Sequence, residues 1–127
     1  MKLRGYIFSR PFLEERVPQH VQNLVIRDYC KKNKFQFLLS ATEYAIPNSY
    51  IMLKQIISEL SKIDGIVAYS IFQLPLKYKD RFETIKLILN QSKEIHFACE
   101  DMRIQNNEDF DKIESIWQIK LTTNSIN

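Results

Sequence analysis

The chain has 127 residues, 45% of them hydrophobic and 26% charged, which is the make-up of one ordinary globular domain. A net charge of +3 is too mild to demand nucleic acid, and no run approaches the roughly 20 apolar residues of a membrane span. Two cysteines, Cys30 and Cys99, are too few and too far apart for a disulfide framework or a zinc site, and two glycines, Gly5 and Gly65, cannot build a P-loop or a dinucleotide fingerprint.

The charge is unevenly spread. Residues 1–63 carry ten Lys/Arg against five Asp/Glu, a balance of +5, whereas residues 64–127 carry eight against ten, a balance of −2. A basic N-terminal half suits an anionic ligand such as a phosphate. With so little glycine, that ligand must be held by side-chain cations and helix N-termini. Met1-Lys2-Leu3-Arg4 is followed by only a brief apolar run, so no signal peptide is read and a cytoplasmic location is expected.

Leu3 to Ser9 reads as a strand that Pro11 must end, because proline cannot donate to the ladder. Pro18 suits the first turn of a helix running to Lys32, with Val21, Leu24, Val25 and Tyr29 as its inward face and Asn33 as a left-handed terminator. Phe35 to Ser40 is a second strand, and Thr42 to Ser49 a loop capped by Asn48 or Ser49. Met52, Leu53, Ile56, Ile57 and Leu60 stripe a second helix that stops before Asp64-Gly65. Gly65 to Phe72 is apolar enough for a central strand covered on both faces.

A loop from Gln73 to Tyr78 leads to a third helix, Lys79 to Ser92, with Phe82, Ile85, Ile88 and Leu89 inward. Glu94 to Cys99 is a fourth strand. Asn106 and the acidic residues after it start a last helix on Phe110, Ile113, Ile116 and Trp117, and residues 122–127 read as a frayed polar tail. The alternation predicts a single α/β domain over residues 1–127, three-layered, with a mostly parallel four-stranded sheet of flavodoxin-like type.

In such a sheet ligands bind where strands end and helices begin. Arg10 and Arg16 flank the start of the first helix and are read as an anion grip, with Ser9 as a ligand-binding hydroxyl. His20, on the polar side of that helix, and Glu43, past the second strand, are the candidate proton-transfer groups; Glu15 is a second carboxylate. Asn48 and Gln73 are the amides expected to orient a polar ligand, and Tyr6, Tyr44 and Tyr69 a stacking face for a sugar. No metal site and no cofactor are read, although magnesium could accompany a phosphate. Phe110 and Trp117 are candidates for a homo-oligomer interface.

Two resemblances bear on function. Tyr6, Ser9-Arg10, Gln19 and Asp64-Gly65-Ile66-Val67 resemble the catalytic domain of serine recombinases (resolvases) over roughly the first 75 residues. The departures fall on the chemistry: Ser9 and Arg10 are adjacent and in reversed order, Phe72-Gln73 stands where the family has Asp-Arg, and Asn48 where it has a loop arginine. That resemblance implies the fold, while strand transfer on DNA, and nucleic acid as a partner, are disfavoured.

Arg4 to Pro11, Pro18 to Asn23, Ile26 to Cys30, Leu38 to Tyr44, and Asp64 to Val67 through Leu74-Pro75 are similar to a small family found sporadically in bacterial surface-carbohydrate gene clusters. This second resemblance implies an enzyme or enzyme-like binding protein for a sugar phosphate or nucleotide sugar, of no stated reaction type. A non-catalytic binding or assembly module is the alternative.

Overall fold

Strand alternation sends Leu3 and Ile7 to one side of the first strand and Tyr6 and Phe8 to the other, and all four are buried. A strand apolar on both faces must lie between two layers of helices. The computed structural model, which describes residues 1–126, builds those layers.

The elements are β1 (Lys2–Phe8), α1 (Gln19–Lys32), β2 (Gln36–Glu43), α2 (Ile51–Ser58), β3 (Gly65–Ala68), α3 (Tyr78–Leu89), β4 (Glu94–Phe97), β5 (Met102–Ile104) and α4 (Asn107–Ile126). Short 3-10 turns occupy Leu60–Lys62 and Ile71–Gln73. The sheet order is β2-β1-β3-β4-β5, with β5 antiparallel to β4 and the other pairs parallel. The three-layer, mostly parallel architecture is as expected, with a fifth strand added. β5 spans three residues, too few for a strand to leave a period in the sequence.

The layers are unequal. Leu3, Ile7 and Val67 pack beneath α1 through Ile26, Tyr29 and Cys30. The larger core lies on the other face, where Tyr6, Phe8 and Ile66 meet Leu53 and Ile56 of α2, Ile85 and Ile88 of α3, and Phe110, Ile113 and Trp117 of α4. The last two aromatics are thus core residues and not an interface: Trp117 is 1% exposed and donates its indole N–H to the Ile71 carbonyl at 3.0 Å.

The inward face of α1 also differs from the expected one. Gln22, Ile26, Tyr29 and Cys30 are buried, whereas Leu24 is 62% exposed. Positions 22, 26, 29 and 30 share one helical face, and the polar residue at its head hid it from a hydrophobic reading. The left-handed residue after this helix is Lys34 (φ 59°), not Asn33 (φ −95°). Residues from Thr122, read as a frayed tail, continue α4 through Ile126, and Asn127 lies outside the described residues.

Strand β3 stops at Ala68 instead of continuing to Phe72. Ser70 accepts from the Phe72 N–H and Gln73 reaches back to the Ser70 N–H, a capping box that tightens the chain into the 3-10 turn. A short apolar run reads alike as strand or as turn, so only these polar contacts separate the two.

Two constraints fix the edges of the domain. Arg81, 1% exposed, gives its Nε and Nη2 to the Glu114 carboxylate and its Nη1 to the Pro75 and Leu76 carbonyls, and its guanidinium lies 4.1 Å from the Trp117 ring centroid. It thereby locks the loop after β3 onto α3 and α4. At the other edge, the β1–β2 register shifts between Arg4 and Tyr6. There a Cβ on Gly5 would run into the Ser40 hydroxyl and come within 2.8 Å of the Phe37 ring. Gly5→Ala is expected to lower stability by about 1–3 kcal/mol in urea denaturation, with part of the loss recovered in the Gly5→Ala/Ser40→Gly double variant.

Candidate active site at the carboxyl edge

Gln22 ties together the chain segments that leave the carboxyl ends of β1 and β3. Its Oε1 accepts from the Phe8 N–H at 3.0 Å and the Gln73 Nε2 at 2.8 Å, and its Nε2 donates to the Phe8 and Val17 carbonyls. Gln73 completes the chain by accepting from the Tyr69 and Ser70 N–H groups. Both amides are buried, so every partner they satisfy would otherwise carry a desolvation penalty. Gln73, expected to orient a ligand, is placed within this internal network. Gln22 is the polar residue that the hydrophobic pattern gave no means of finding.

Glu43 ends β2 and is 1% exposed. Its carboxylate accepts from the Tyr6 hydroxyl at 2.9 Å and from the N–H groups of Tyr44, Met52 and Leu53 at 3.0–3.2 Å. Met52 and Leu53 belong to the first turn of α2, so the carboxylate satisfies orphan donors and the helix dipole together. Burial, with the Glu43 charge second, pushes the Tyr6 phenol far above its usual range, so it stays a donor. Glu43 therefore stands as an interior helix cap.

The loop after β1 carries its own constraint. Phe12 and Glu15 exchange both backbone hydrogen bonds across Leu13 and Glu14, which both have positive φ (47° and 69°). Two left-handed non-glycine residues in a row make a tight hairpin turn. It buries Phe12 and leaves Glu14, Glu15 and Arg16 exposed. Arg16 thus does not join Arg10. Gln19 and His20 are likewise exposed at the start of α1, the helix covering the opposite sheet face from α2, α3 and α4.

Arg10 has a different setting. It points across the carboxyl end of the sheet, donates to the Tyr44 carbonyl at 2.7 Å, and lies 4.3 Å from the Phe8 ring centroid and 5.2 Å from that of Tyr50. It makes no ion pair among the described residues. Beside it lies a hollow of about 250 Å³, walled by the rings of Phe8, Phe12, Tyr50, Phe72 and Trp117. Arg10 and Asn48 are the polar side chains on its lining. Asn48 adopts φ 63°, a conformation asparagine tolerates better than most residues. Ser9 sits next to Arg10 and donates its hydroxyl proton to the Glu43 carbonyl at 2.9 Å, leaving its lone pairs unengaged.

The aromatic lining was the feature least visible beforehand. Tyr6 is committed to Glu43, and Tyr44 and Tyr69 are absent from the hollow, which takes its rings from four separate segments. Lys120, on α4, approaches from one side, 5.7 Å from the Phe72 ring centroid and 4.0 Å from the Glu15 carboxylate. A second hollow of about 430 Å³ adjoins the first, sharing Asn48, Tyr50 and Leu76 with it and carrying Lys54 and Lys77 alongside Asp80 and Glu83.

A further group of polar residues lies at the ends of β3 and β4. The Glu100 carboxylate accepts from the Ser70 hydroxyl at 2.7 Å and the Ile71 N–H at 2.9 Å. Burial holds this carboxyl above the ordinary glutamate value, outweighing the hydrogen bonds that act in the other direction. His96 is buried on the α1 side, between the Tyr29 hydroxyl at Nδ1 and Glu94 at Nε2. Burial lowers its pKa despite the nearby carboxylate, consistent with a neutral ring whose Nε2–H donates to Glu94. No group of His, Cys, Asp and Glu able to hold a metal occurs among the described residues, and no helix there is long and apolar enough to cross a membrane.

No family model matches the sequence, and no curated protein is similar to it. Solved structures do share its fold. The N-terminal catalytic domain of TP901-1 integrase superposes with a TM-score of 0.65 over 98% of both chains, at 10% sequence identity. A resolvase family site-specific recombinase from Streptococcus pneumoniae does so with a TM-score of 0.61, over 98% of this chain and 91% of the other, at 9% identity. The resolvase-like fold expected from Tyr6, Ser9-Arg10 and Asp64-Gly65 is therefore present.

Two expectations are corrected. The likeness to the surface-carbohydrate cluster family, with its sugar phosphate or nucleotide sugar, has no support; structures that share this fold include an integrase catalytic domain and a site-specific recombinase. Glu43, expected as a proton-transfer group, and Gln73, expected to orient a polar ligand, are engaged by backbone donors and by Gln22. The disfavouring of nucleic acid and of recombinase-like function is overturned by the same neighbours.

Two outcomes test the site's framework. Gln22→Leu strands the Phe8 and Val17 backbone groups and the Gln73 amide, and should cost about 1–3 kcal/mol per orphaned group in urea denaturation. For Glu100, the raised folded-state pKa means that the native protein holds more protons than the unfolded chain from pH 4.5 upward, so stability falls as pH rises through that window. Glu100→Gln should flatten this fall, read as the difference between the two proteins in denaturation series at several pH values.

Proposed function

We propose that this chain is a recombinase-like domain that acts at DNA, with Arg10 holding a phosphodiester at the carboxyl end of β1 and the Ser9 hydroxyl beside it. The observation that carries the reading is Arg10 itself: a guanidinium with no ion pair among the described residues, fixed between two aromatic rings on the rim of the hollow. A planar guanidinium matches two phosphate oxygens at once, which an ammonium cannot do.

Its location adds support. The sheet order 2-1-3-4-5 places the topological switch between β1 and β3, and the hollow draws on the segments following β1, β2 and β3. Structures with this fold include a site-specific recombinase and an integrase catalytic domain, and the N-terminal half of the chain carries the positive balance of charge.

Ser9 is the hydroxyl adjacent to the proposed phosphate. Its proton is directed to the Glu43 carbonyl, so its oxygen lone pairs are free to face the ligand. Recognition and any covalent chemistry are separable by substitution at these two positions.

The test is fluorescence anisotropy with labelled DNA across a salt series. Binding should weaken as salt rises, and Arg10→Ala should lower affinity at least tenfold and reduce the salt slope by about 1. Arg10→Lys should recover only part of the loss. Ser9→Ala should keep binding and remove any protein–DNA adduct that survives a denaturing gel. Salt-independent binding, or an Arg10→Ala protein that binds as the parent does, overturns the reading.

A further inference from the structure

We propose that the Tyr29–His96–Glu94 chain is a proton-sensitive latch, which holds α1 on the sheet while the imidazole is neutral and releases it when the ring takes up a proton.

The hydrogen-bond geometry allows one neutral form of the ring. The Tyr29 hydroxyl lies 2.6 Å from His96 Nδ1, and Glu94 Oε2 lies 2.7 Å from Nε2. A carboxylate only accepts, so Nε2 carries the ring hydrogen and Nδ1 accepts from the Tyr29 O–H. Burial, the largest cause, raises the Tyr29 phenol to about 12, so it keeps its hydrogen. A second ring proton must go to Nδ1, where that hydroxyl hydrogen already points. The hydroxyl then has to turn away, and it has no other hydrogen-bond partner among the described residues. A buried donor left without an acceptor opposes the change.

The surroundings oppose it too. His96 is 0% exposed, with the Tyr29 ring 5.7 Å and the Phe35 ring 5.1 Å from its own, centroid to centroid. The titratable and charged groups around the ring are Glu94 on β4, Arg103 on β5, and Tyr29 and Cys30 on α1. Asp101, in the turn before β5, acts on Tyr29. On the β3 side the facing residue is Val67, which is apolar. Arg103 stands directly opposite His96 in the antiparallel pair, so a charged ring meets a like charge. Glu94 favours the charged form, but burial outweighs it and holds the imidazole below its ordinary value.

Position makes this chain a latch. It joins α1 to β4 across 67 positions of sequence. Tyr29 shares the buried face of α1 with Gln22, about two turns away. The helix is thus pinned near its start by the Gln22 amide and near its end by Tyr29. Between them only Ile26 and Cys30 are buried on this face, in the smaller of the two cores.

The sign follows from linkage. The latched ring stays neutral, whereas a released one has the ordinary value of 6.5. Release therefore gains roughly tenfold for each pH unit below that value until the latched ring itself titrates, and nothing above it. This is opposite in direction to Glu100, whose contribution falls as pH rises.

The experiment is amide hydrogen exchange followed by NMR on the whole chain at about pH 7 and about pH 5. Protection factors for residues 26–32 should fall at least fivefold at the lower pH relative to those of β1 and β3. His96→Gln, which does not titrate, should show no such fall. In the parent, the His96 ring nitrogen shifts, assigned with His20→Gln, should show a neutral ring protonated at Nε2 at pH 6.5 and a transition below it. Tyr29→Phe removes the opposing hydroxyl and should move that transition upward and make the fall shallower, which keeps the test open if His96→Gln does not fold. A ring that titrates at or above 6.5 overturns the latch. So does α1 protection that ignores pH, a fall that persists in His96→Gln, or a transition that Tyr29→Phe leaves in place.

Discussion

The carboxyl edge of this domain depends on the side-chain amide of Gln22. One buried residue bonds the backbone of Phe8 at the end of β1, the Val17 carbonyl before α1, and the amide of Gln73 in the turn after β3. Through Gln73 it also fixes the N–H groups of Tyr69 and Ser70. Buried polar groups are tolerated only when satisfied, and here each amide satisfies the other and the backbone around it. That bridge joins the segments after β1 and β3, as the Ser9 and Arg10 bonds to Glu43 and Tyr44 join those after β1 and β2.

Around this bridge the polar groups divide into those the fold consumes and those it leaves at the surface. Glu43 caps α2 and holds Tyr6, Arg81 binds Glu114 and the loop carbonyls beneath Trp117, and Glu100 accepts from Ser70 and Ile71. These contacts make the walls rigid but leave few charges free to meet a ligand. Arg10 is the exception. Its contacts are one carbonyl and two ring faces, none of which cancels its charge.

The shared fold does not by itself fix the chemistry, for a plain reason. The fold rests on apolar patterning and strand order, which many sequences satisfy, and 10% identity suffices for a TM-score of 0.65. Chemistry rests on a handful of strand-end residues that can be exchanged without disturbing the sheet. The two adjacent left-handed residues, Leu13 and Glu14, mark where the loop after β1 has been set tightly against its own preference.

Local information was enough for the alternation of strands and helices, the termination of β1 before Pro11, and the stripes of α2 and α4. Each follows from properties of neighbouring residues: proline's missing donor, a period of 2 or 3.6, a cap before a helix. The buried face of α1, the turn at Ile71–Gln73, the short β5 and the fates of Gln22, Glu43 and Gln73 were settled only by tertiary structure. Gln22 meets Gln73 across 51 positions, and Glu43 meets Tyr6 across 37. Whether a polar side chain is a structural clamp or a free functional group depends on which partners the folded chain brings within 3 Å of it, and residue spacing carries no record of those partners.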